Sequence, residues 1–502
     1  MSTPVPIGIV GFGTMGAGIA QVAARAGHQV LAFDAIEGMV RLGIEAVRSR
    51  LERSVERGRL DGGEARAILD RLTPCSTLAD LAPAGLVVEA VVEDLATKRR
   101  LFVELENIVS GDCILTSNTS SLSIAAIAAG LRSPERVVGM HFFNPAPLMA
   151  LVEVVSGLGS GDRAVEQVCD LARAWGKTPV KVKSAPGFIV NRVARPFYGE
   201  ALRLLAEGAA AASTIDAIMR EGGGFPMGPF ELLDLVGIDV SLAVSESVFA
   251  GMSFDPRFSP SPIQRELVAA GRLGRKSGWG FYDYRDRREP PPAETVTPQP
   301  PPRRVVVLGD LGPAEALIPA LAGAGIAVER RPAARGCLLV DGLRLEPTEG
   351  CTATERAAAE SADLAVFDLM LDYGGPGRVA VAVADQADPA ALASAAGLLQ
   401  AAGKQVSAVD DTPGLIVMRT VAMLANFGCD AVHQGVCDAA AVDLAMKSGA
   451  GYPRGPLEWA DSIGPSRLVA VLDNLAWGYG EDRYRVSPLL RRRALSGSSL
   501  AG

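Results

Sequence analysis

Only three histidines occur in the chain, and one of them, His141, lies in an apolar stretch that also holds a carboxylate. Glu153 follows within the next apolar run, "LMALVEVV". A neutral histidine is the usual general base near pH 7, and a carboxylate can fix its tautomer and stabilise the imidazolium. The residues alone leave two interpretations open, a base with its orienting acid or a core histidine beside an edge glutamate.

A glycine-rich turn near the N-terminus predicts a dinucleotide site. Gly11, Gly13 and Gly16 form the pattern G-x-G-x-x-G between the apolar strand "IGIV" and a helix that begins near Thr14. The first glycine permits a tight turn, the second lets a pyrophosphate approach the backbone, and the third packs the helix against the strand. The first helical residues, Thr14 and Met15, offer backbone N–H groups to phosphate.

An acidic residue at the end of the second predicted strand indicates which dinucleotide binds. Asp34 follows the strand "QVLAF", where a carboxylate accepts hydrogen bonds from a ribose 2′-hydroxyl and repels a 2′-phosphate. NAD is therefore favoured over NADP. A second turn, at Gly309 and Gly312, lacks the third glycine and has Asp310 where phosphate would lie, so no nucleotide is expected there.

Composition excludes several classes of function. A net charge of -8 and a pI near 5.3 provide no basic face for nucleic acid. No uncharged apolar run reaches about 18 residues, so no membrane span is expected. The seven cysteines are scattered without a C-x-x-C pair, which indicates free thiols in the cytoplasm and no metal site.

Strands that alternate with helices in the first third of the chain predict an α/β fold with a doubly wound, Rossmann-type sheet. The pattern turns helical after Pro186, and a segment rich in proline and charge follows near residue 285. The predicted domains of this half are an NAD-binding Rossmann domain (1–185), an all-α helical domain (186–284) and a Pro-rich linker (285–303).

The second half repeats the first at a constant offset, which aligns Pro186 with Pro413 and Pro229 with Pro456. "APGFIVNR" at 185–192 is echoed by "TPGLIVMR" at 412–419, and "GGGFPMGPFELLDLVG" at 222–237 by "GAGYPRGPLEWADSIG" at 449–464. Asn191 is replaced by Met418, and no "HFFNP" follows the linker, so this copy is not expected to catalyse. The predicted domains are a shortened, degenerate Rossmann-like domain (304–410), a second helical domain (411–490) and a flexible tail (491–502).

Seven strings, in a fixed order, closely resemble the 3-hydroxyacyl-CoA dehydrogenase family. They span residues 5–284 nearly continuously, which makes the resemblance highly specific. The strings are "GFGTMGAGIA", "VVEAVVEDLATKRRLF", "TSNTSSLSI", "GMHFFNPAPLMALVEVV", "PGFIVNR", "GFPMGPFELLDLVG" and "GRKSGWGFYDY".

The resemblance implies roles for individual residues. His141 would be the catalytic base and Glu153 its orienting acid, with Ser120 and Asn191 holding the oxygen of the substrate. Other residues would contact the cofactor NAD or the CoA moiety: Glu93 near the ribose, Asn144 on the nicotinamide side, Lys276 on the cofactor, and Lys98 and Ser120 on the acyl-CoA.

The implied reaction is the NAD-dependent oxidation of an (S)-3-hydroxyacyl-CoA to the 3-ketoacyl-CoA. Duplicated chains of this kind resemble dehydrogenases that act on 3-hydroxyadipyl-CoA in phenylacetate catabolism, with 3-hydroxybutyryl-CoA, as in short-chain β-oxidation, as the alternative. A non-catalytic NAD-binding protein and a β-hydroxyacid dehydrogenase are the competing interpretations; the latter would use a catalytic lysine where "PGFIVNR" supplies Asn191. The two helical domains are expected to form an internal pseudo-dimer, and a homo-oligomer is left open.

Overall fold

The computed structural model describes residues 5–360 and 362–501, and these form two compact units. The first unit contains the described residues up to Arg192 together with Gly435–Ala450, and the second contains Val193–Gln434 and the residues from Gly451 onward. No helix among the described residues is both long and apolar enough to cross a membrane.

The first unit is built on an eight-stranded sheet with the strand order β3-β2-β1-β4-β5-β6-β7-β8. Neighbouring strands are parallel except for β6 and β7, which pair antiparallel. The strands are β1 (Ile7–Val10), β2 (Val30–Phe33), β3 (Leu72–Pro74), β4 (Leu86–Glu89), β5 (Ile114–Ser117), β6 (Val137–Phe142), β7 (Leu151–Ser156) and β8 (Thr178–Lys183).

The second unit contains a seven-stranded mixed sheet with the order β10-β9-β11-β12-β13-β14-β15. Three of its pairs are antiparallel, β9 with β11, β11 with β12, and β13 with β14. The strands are β9 (Arg304–Leu308), β10 (Ala327–Arg331), β11 (Cys337–Val340), β12 (Leu343–Pro347), β13 (Leu364–Phe367), β14 (Gly377–Val383) and β15 (Lys404–Ala408).

Twenty α-helices accompany the two sheets in the described residues. They are α1 (Thr14–Arg25), α2 (Met39–Glu56), α3 (Gly62–Asp70), α4 (Leu95–Ile108), α5 (Ile124–Ile127), α6 (Asp162–Ala174), α7 (Val190–Val193), α8 (Arg195–Ala206), α9 (Ala212–Ala217), α10 (Pro229–Val236), α11 (Ile238–Gly251), α12 (Pro262–Ala269), α13 (Leu317–Gly323), α14 (Ala353–Glu360), α15 (Ala391–Ala401), α16 (Val417–His433), α17 (Ala439–Ala450), α18 (Pro456–Ile463), α19 (Pro465–Tyr479) and α20 (Pro488–Ser496).

Burial explains why the central strands of the first sheet are almost wholly apolar. Every residue of β1, β4, β5 and β6 is buried, as expected for strands covered by helices on both faces. The polar exceptions are informative, because Glu89 ends β4 and His141 lies in β6. The predicted fold class, a Rossmann-type sheet followed by helices, a reduced second sheet and further helices, is confirmed.

The C-terminal tail corrects one prediction. Residues 491–502 were expected to be flexible, but α20 continues to Ser496, with Pro488 in its first turn and Leu490 fully buried. Beyond the helix, the Asp461 carboxylate accepts hydrogen bonds from the amides of Leu500 and Ala501. A proline start, a buried leucine and an acidic acceptor therefore anchor the described part of this segment.

Candidate active site

His141 and Glu153 are cross-strand neighbours at the antiparallel pair of β6 and β7. The Nδ1 atom of His141 lies 2.7 Å from Oε2 of Glu153, and both side chains are buried. A carboxylate at this distance holds a proton on Nδ1 and leaves Nε2 as the basic nitrogen. Of the two interpretations open from sequence, the base with its orienting acid fits this geometry.

The second oxygen of Glu153 fixes a neighbouring segment. Its Oε1 accepts the backbone amides of Ile189 at 2.9 Å and Val190 at 3.0 Å. These amides open the helical turn α7, which carries Asn191. One carboxylate thus orients the candidate base and holds the turn that presents a candidate substrate-binding amide.

Each glycine of the first turn has a different steric reason. A Cβ on Gly11 would lie 2.6 Å from the carbonyl oxygen of Ala90, and one on Gly16 would lie 1.8 Å from the carbonyl oxygen of Gly11. A Cβ on Gly13 would meet nothing within 4 Å. The turn therefore requires Gly11, and the packing of the helix requires Gly16. Gly13 leaves open space beside the N-terminus of α1, where a pyrophosphate can approach.

Asp34 anchors this turn to β2. Its Oδ2 accepts the amide of Phe12 at 2.7 Å, and its Oδ1 accepts the amide of Ile36 at 2.8 Å. The side chain is only partly buried, so lone pairs remain for a ribose hydroxyl. Three features of this turn fit NAD: the open space at Gly13, the exposed Thr14 with the partly exposed Met15, and the Asp34 carboxylate after β2.

The Glu93 carboxylate organises the turn that carries Ser120. Its Oε1 accepts from the Thr119 hydroxyl at 2.6 Å, from the Ser120 amide at 2.9 Å and from the Ser121 amide at 3.1 Å. Burial acts to raise the pKa of Glu93, but the hydrogen bond from Thr119 and the charge of Lys98 outweigh it and lower that pKa. Glu93 is therefore ionised and holds the Ser120 turn after β5.

The acyl-CoA contact predicted for Lys98 is not supported by its surroundings. The side chain is 1% exposed, and its Nζ lies 2.5 Å from Glu89 Oε1 and 3.3 Å from Glu93 Oε2. The third N–H of the ammonium is directed at the Val91 carbonyl oxygen at 3.4 Å, so no donor is left for a phosphate, and exposing the group would leave both acids unpaired. The structure places Lys98 as the ion-pair partner of Glu89 and Glu93.

Two further predicted residues have no contacts that assign a role. Asn144 is exposed in the segment after β6. Lys276 belongs to the second unit, where its ammonium pairs with Asp239 at 2.6 Å and remains half exposed. Their cofactor contacts stay predictions.

Two further polar residues of this region, Glu89 and Asn118, are not identified by any motif of the sequence. Glu89, fully buried at the end of β4, accepts from the Ser117 hydroxyl at 2.6 Å as well as from Lys98. Asn118 Oδ1 accepts the amide of Phe142 at 2.8 Å and so ties the end of β5 to the end of β6. The available signal was a lone acid in the apolar run "GLVVEAVV", with a lysine on the helix that follows.

The second sheet shows what the duplicated half has lost. In the first sheet, Glu153 on β7 pairs with Val180 on β8. The offset of the repeat aligns Val180 with Ser407 on β15, and Ser407 pairs with Ala380 on β14. The partner of Ala380 across β13 and β14 is Asp368, whose amide donates to the Ala380 carbonyl. Register therefore places Ala380 at the position of Glu153 and Asp368 at the position of His141.

Asp368 holds the start of the following helix, as Glu153 does in the first copy, but among the described residues it has no histidine beside it to orient. Its Oδ2 accepts the amides of Ile416 and Val417, the counterparts of Ile189 and Val190. Burial raises the pKa of Asp368 to about 6. The second copy keeps an acid to hold the helix start, but this acid stands where the first copy has the imidazole of His141.

Comparison with known protein families divides the chain in the same order. The NAD-binding domain of 3-hydroxyacyl-CoA dehydrogenase matches residues 6–185, and the C-terminal domain of that enzyme matches 187–284 and again 414–499. The reduced Rossmann-fold domain of 3-hydroxybutyryl-CoA dehydrogenase matches residues 345–413. The duplication inferred from the constant offset is thus visible as two matches to one domain.

Individual relatives cover either the whole chain or its first half. The 3-hydroxyadipyl-CoA dehydrogenase of Escherichia coli is 44% identical over 490 residues, 97% of each chain. A crystal structure of 3-hydroxybutyryl-CoA dehydrogenase from Escherichia coli K12 matches 98% of this chain and 99% of its own, with a TM-score of 0.90 and 43% identity. A probable 3-hydroxybutyryl-CoA dehydrogenase of Bacillus subtilis is 41% identical over 56% of this chain and 97% of its own. The chain therefore belongs to the 3-hydroxyacyl-CoA dehydrogenase family of NAD-dependent oxidoreductases.

Proposed function

We propose that the protein oxidises (S)-3-hydroxyadipyl-CoA to the corresponding 3-ketoacyl-CoA with NAD. The supporting observation is the similarity to the Escherichia coli 3-hydroxyadipyl-CoA dehydrogenase, which extends over 97% of both chains and includes the duplicated half. The relative from Bacillus subtilis lacks a counterpart of the duplicated half, because 97% of its length matches only 56% of this chain.

A second candidate substrate is 3-hydroxybutyryl-CoA. The Escherichia coli crystal structure that matches nearly the whole chain is described as a 3-hydroxybutyryl-CoA dehydrogenase. The two candidates share one reaction and differ at the far end of the acyl group, where the adipyl chain carries a second carboxylate.

The proposed chemistry uses the residues of the first unit. The Nε2 atom of His141 removes the proton of the 3-hydroxyl, and Glu153 stabilises the resulting imidazolium across the 2.7 Å contact. Gly13, the N-terminus of α1 and Asp34 would hold NAD, which would supply the acceptor for the hydride that C3 of the substrate loses. Ser120 and Asn191 hold the substrate oxygen, with Glu93 and Glu153 fixing the turns that carry them.

A substrate panel tests this proposal. We expect kcat/KM for 3-hydroxyadipyl-CoA to exceed that for 3-hydroxybutyryl-CoA by about 10-fold or more, since one well-placed ionic contact contributes roughly that much. The measurement is initial-rate NADH formation with both substrates. Repeating it with NADP should give lower rates, because the Asp34 carboxylate repels a 2′-phosphate. A preference for the butyryl substrate would refute the adipyl assignment.

We also propose that the two helical copies form an internal pseudo-dimer. Within the second unit, α8 of the first copy packs against α16 of the second copy. Arg483 of the second copy pairs with Glu200 on α8, and Arg257 of the first copy pairs with Asp430 on α16. Each copy thus sends an arginine to an acid on the long helix of the other copy, as the two sides of an isologous interface do.

The copies also exchange one helix each. In the first unit, α17 of the second copy packs on β7 and β8, while in the second unit the π-helical turn Ile218–Gly222 of the first copy packs on β14. Gly449 and Gly222 are equivalent and mark both contacts. A Cβ added to Gly449 would lie 2.3 Å from Cδ2 of Leu151, and a Cβ added to Gly222 would lie 2.3 Å from the carbonyl oxygen of Arg378. On this proposal the second half supplies a helix that supports the strand bearing Glu153.

Replacing Gly449 with leucine tests that support. The new side chain would push against Leu151, two residues from Glu153 on the same face of β7, and against Val190, whose amide Glu153 holds. We expect kcat to fall about 10–100-fold, the usual cost of misplacing a catalytic group by about 1 Å. Steady-state kinetics give the value, and Leu444→Gln on the exposed face of α17 is the control. Unchanged kcat in Gly449→Leu would contradict the supporting role.

A cytoplasmic location is part of the same proposal. The seven cysteines form no disulfide among the described residues, and four of them are buried. Cysteines that remain thiols are typical of a reducing compartment.

A further inference from the structure

A cavity in the second unit has an excess of positive charge. It is about 220 Å³ in volume and is lined by one face of α8, by Ser245 of α11 and by the segment 257–264. Four guanidinium groups line it, those of Arg195, Arg203, Arg257 and Arg483. Because a water occupies about 30 Å³, the cavity has room for several waters or for a short carboxylate.

Three of these arginines have carboxylate partners. Arg203 pairs with Glu481 at 2.5 Å, and Arg483 pairs with Glu200 at 2.8 Å. Arg257 pairs with Asp255 at 2.9 Å and also with Asp430. Their charges are therefore neutralised locally, and they are explained by the folding of the unit.

Arg195 is different, because no described residue offers its guanidinium a carboxylate within ion-pair distance. Its Nη1 donates to the Ser245 hydroxyl at 3.0 Å, and its charge lies 5.2 Å from the centre of the Tyr198 ring. Its Nε is buried and has no hydrogen-bond partner among the described residues. Burial lowers the pKa of Arg195, and the nearby Tyr198 and Tyr452 side chains oppose this only in part.

A second unsatisfied donor lies close by. The hydroxyl of Tyr452 is buried and has no hydrogen-bond partner in the described part of the chain. Arg195 and Tyr198 are the charged or ionisable neighbours that act on this hydroxyl. A buried donor without an acceptor costs about 1–3 kcal/mol, so the unpartnered Nε of an arginine that lines the cavity indicates an acceptor that the described residues do not provide.

Packing of the helix does not require an arginine at this position. The equivalent residue of the second copy is Ala422, which is fully buried in α16. The first copy therefore carries a charged group where its duplicate carries a methyl group.

We propose that this cavity binds a carboxylate group, with Arg195 as the residue that receives it. A carboxylate fits because a guanidinium donates to it in a planar, bidentate arrangement, and because it can accept from a tyrosine hydroxyl as well. Two sources carry this chemistry, the second carboxylate of a dicarboxylic acyl-CoA and a free small dicarboxylate. The first source rests on the proposed adipyl substrate, whereas the second is independent of it.

Binding of adipate to the full chain is the direct test. Isothermal titration calorimetry of the wild type should show binding, and Arg195→Met should weaken it at least about 10-fold, whereas Arg195→Lys should restore part of it. Arg203→Met is the matched control, because it removes another guanidinium from the same cavity, but one that already has acids. The proposal would be overturned if wild type and Arg195→Met bound adipate with equal affinity. It would also be overturned if the wild type showed no measurable adipate binding and the kinetics of Arg195→Met were unchanged.

Kinetics separate the two sources. If the carboxylate belongs to the substrate, Arg195→Met should lower the ratio of kcat/KM for 3-hydroxyadipyl-CoA to that for 3-hydroxybutyryl-CoA by about 10–100-fold. If a free dicarboxylate is the ligand, adipate binding should depend on Arg195 while that ratio stays constant. A wild type that prefers the butyryl substrate but binds adipate through Arg195 would refute the adipyl assignment and leave the carboxylate site standing.

Discussion

Replacing His141 with glutamine is expected to lower kcat about 10²–10⁴-fold, the contribution that a positioned general base usually makes. Glutamine can still form hydrogen bonds in the space between Phe143 and Phe188, but it cannot accept a proton at neutral pH. The cost corresponds to roughly 3–5 kcal/mol of transition-state stabilisation. Acetoacetyl-CoA reduction and 3-hydroxyacyl-CoA oxidation should fall together, because the same group transfers the proton in both directions.

The measurement separates chemistry from binding. The dissociation constant for NADH, read from the fluorescence of the bound cofactor, should change by less than a few-fold, because the glycine turn and Asp34 do not involve His141. A variant that retains wild-type kcat would exclude His141 as the base and would favour a non-catalytic, NAD-binding function.

Glu153→Gln is the matched companion. The amide oxygen can still accept from Ile189 and Val190, so the start of α7 keeps its hydrogen bonds. The amide nitrogen, however, would donate to Nδ1 of His141 and so place the imidazole proton on Nε2. We expect kcat to fall with little loss of thermal stability, a combination that a merely structural Glu153 would not produce.

That His141 and Glu153 lie on neighbouring strands could be predicted from the sequence, because the fold leaves these strands little freedom. Once His141 lies in a buried strand and Glu153 in the next one, the short Asn-Pro and Ala-Pro turns bring the two strands side by side. Register then decides whether the side chains meet, and spacing alone does not give register. For this reason the residues themselves left the base and the core histidine equally open.

Lys98 shows what a single sequence cannot resolve. On helix α4 a lysine beside Arg99 and Arg100 has the pattern of a solvated, anion-binding face. Its burial follows from Glu89 at the end of β4 and from Glu93 after it, and these contacts depend on how α4 packs. Asp368 was missed for a similar reason, because only the pairing of β13 with β14 reveals it as the counterpart of His141.

One fully buried carboxylate, Glu200, pairs with two arginines of the second copy within the second unit. Its Oε2 accepts from Arg419 at 2.8 Å and from the Tyr484 hydroxyl at 3.0 Å, and its Oε1 accepts from Arg483 at 2.8 Å. Burial acts to raise the pKa of Glu200, but the charges of Arg483 and Arg419 outweigh it and hold the pKa at about 2. Because this pKa is depressed, the stability that Glu200 contributes is present above its unfolded pKa, near 4.5, and is lost as the pH falls towards 2.

Glu200→Ala is expected to lower the free energy of unfolding of this unit by about 3–5 kcal/mol, because it leaves the buried guanidinium of Arg483 without an acid and that of Arg419 with Glu207 alone. Urea denaturation at pH 7, followed by circular dichroism, gives the value. Glu246→Ala in the same unit is the control: its partner Arg265 is 3.0 Å away, but both side chains are about half exposed, so the loss should not exceed about 1 kcal/mol. The difference between the variants should shrink as the pH falls below about 4.5, because the unfolded chain then takes up a proton on Glu200 that the folded state, with its pKa of about 2, still excludes. If Glu200→Ala costs no more than Glu246→Ala, this carboxylate does not hold the two helical copies together.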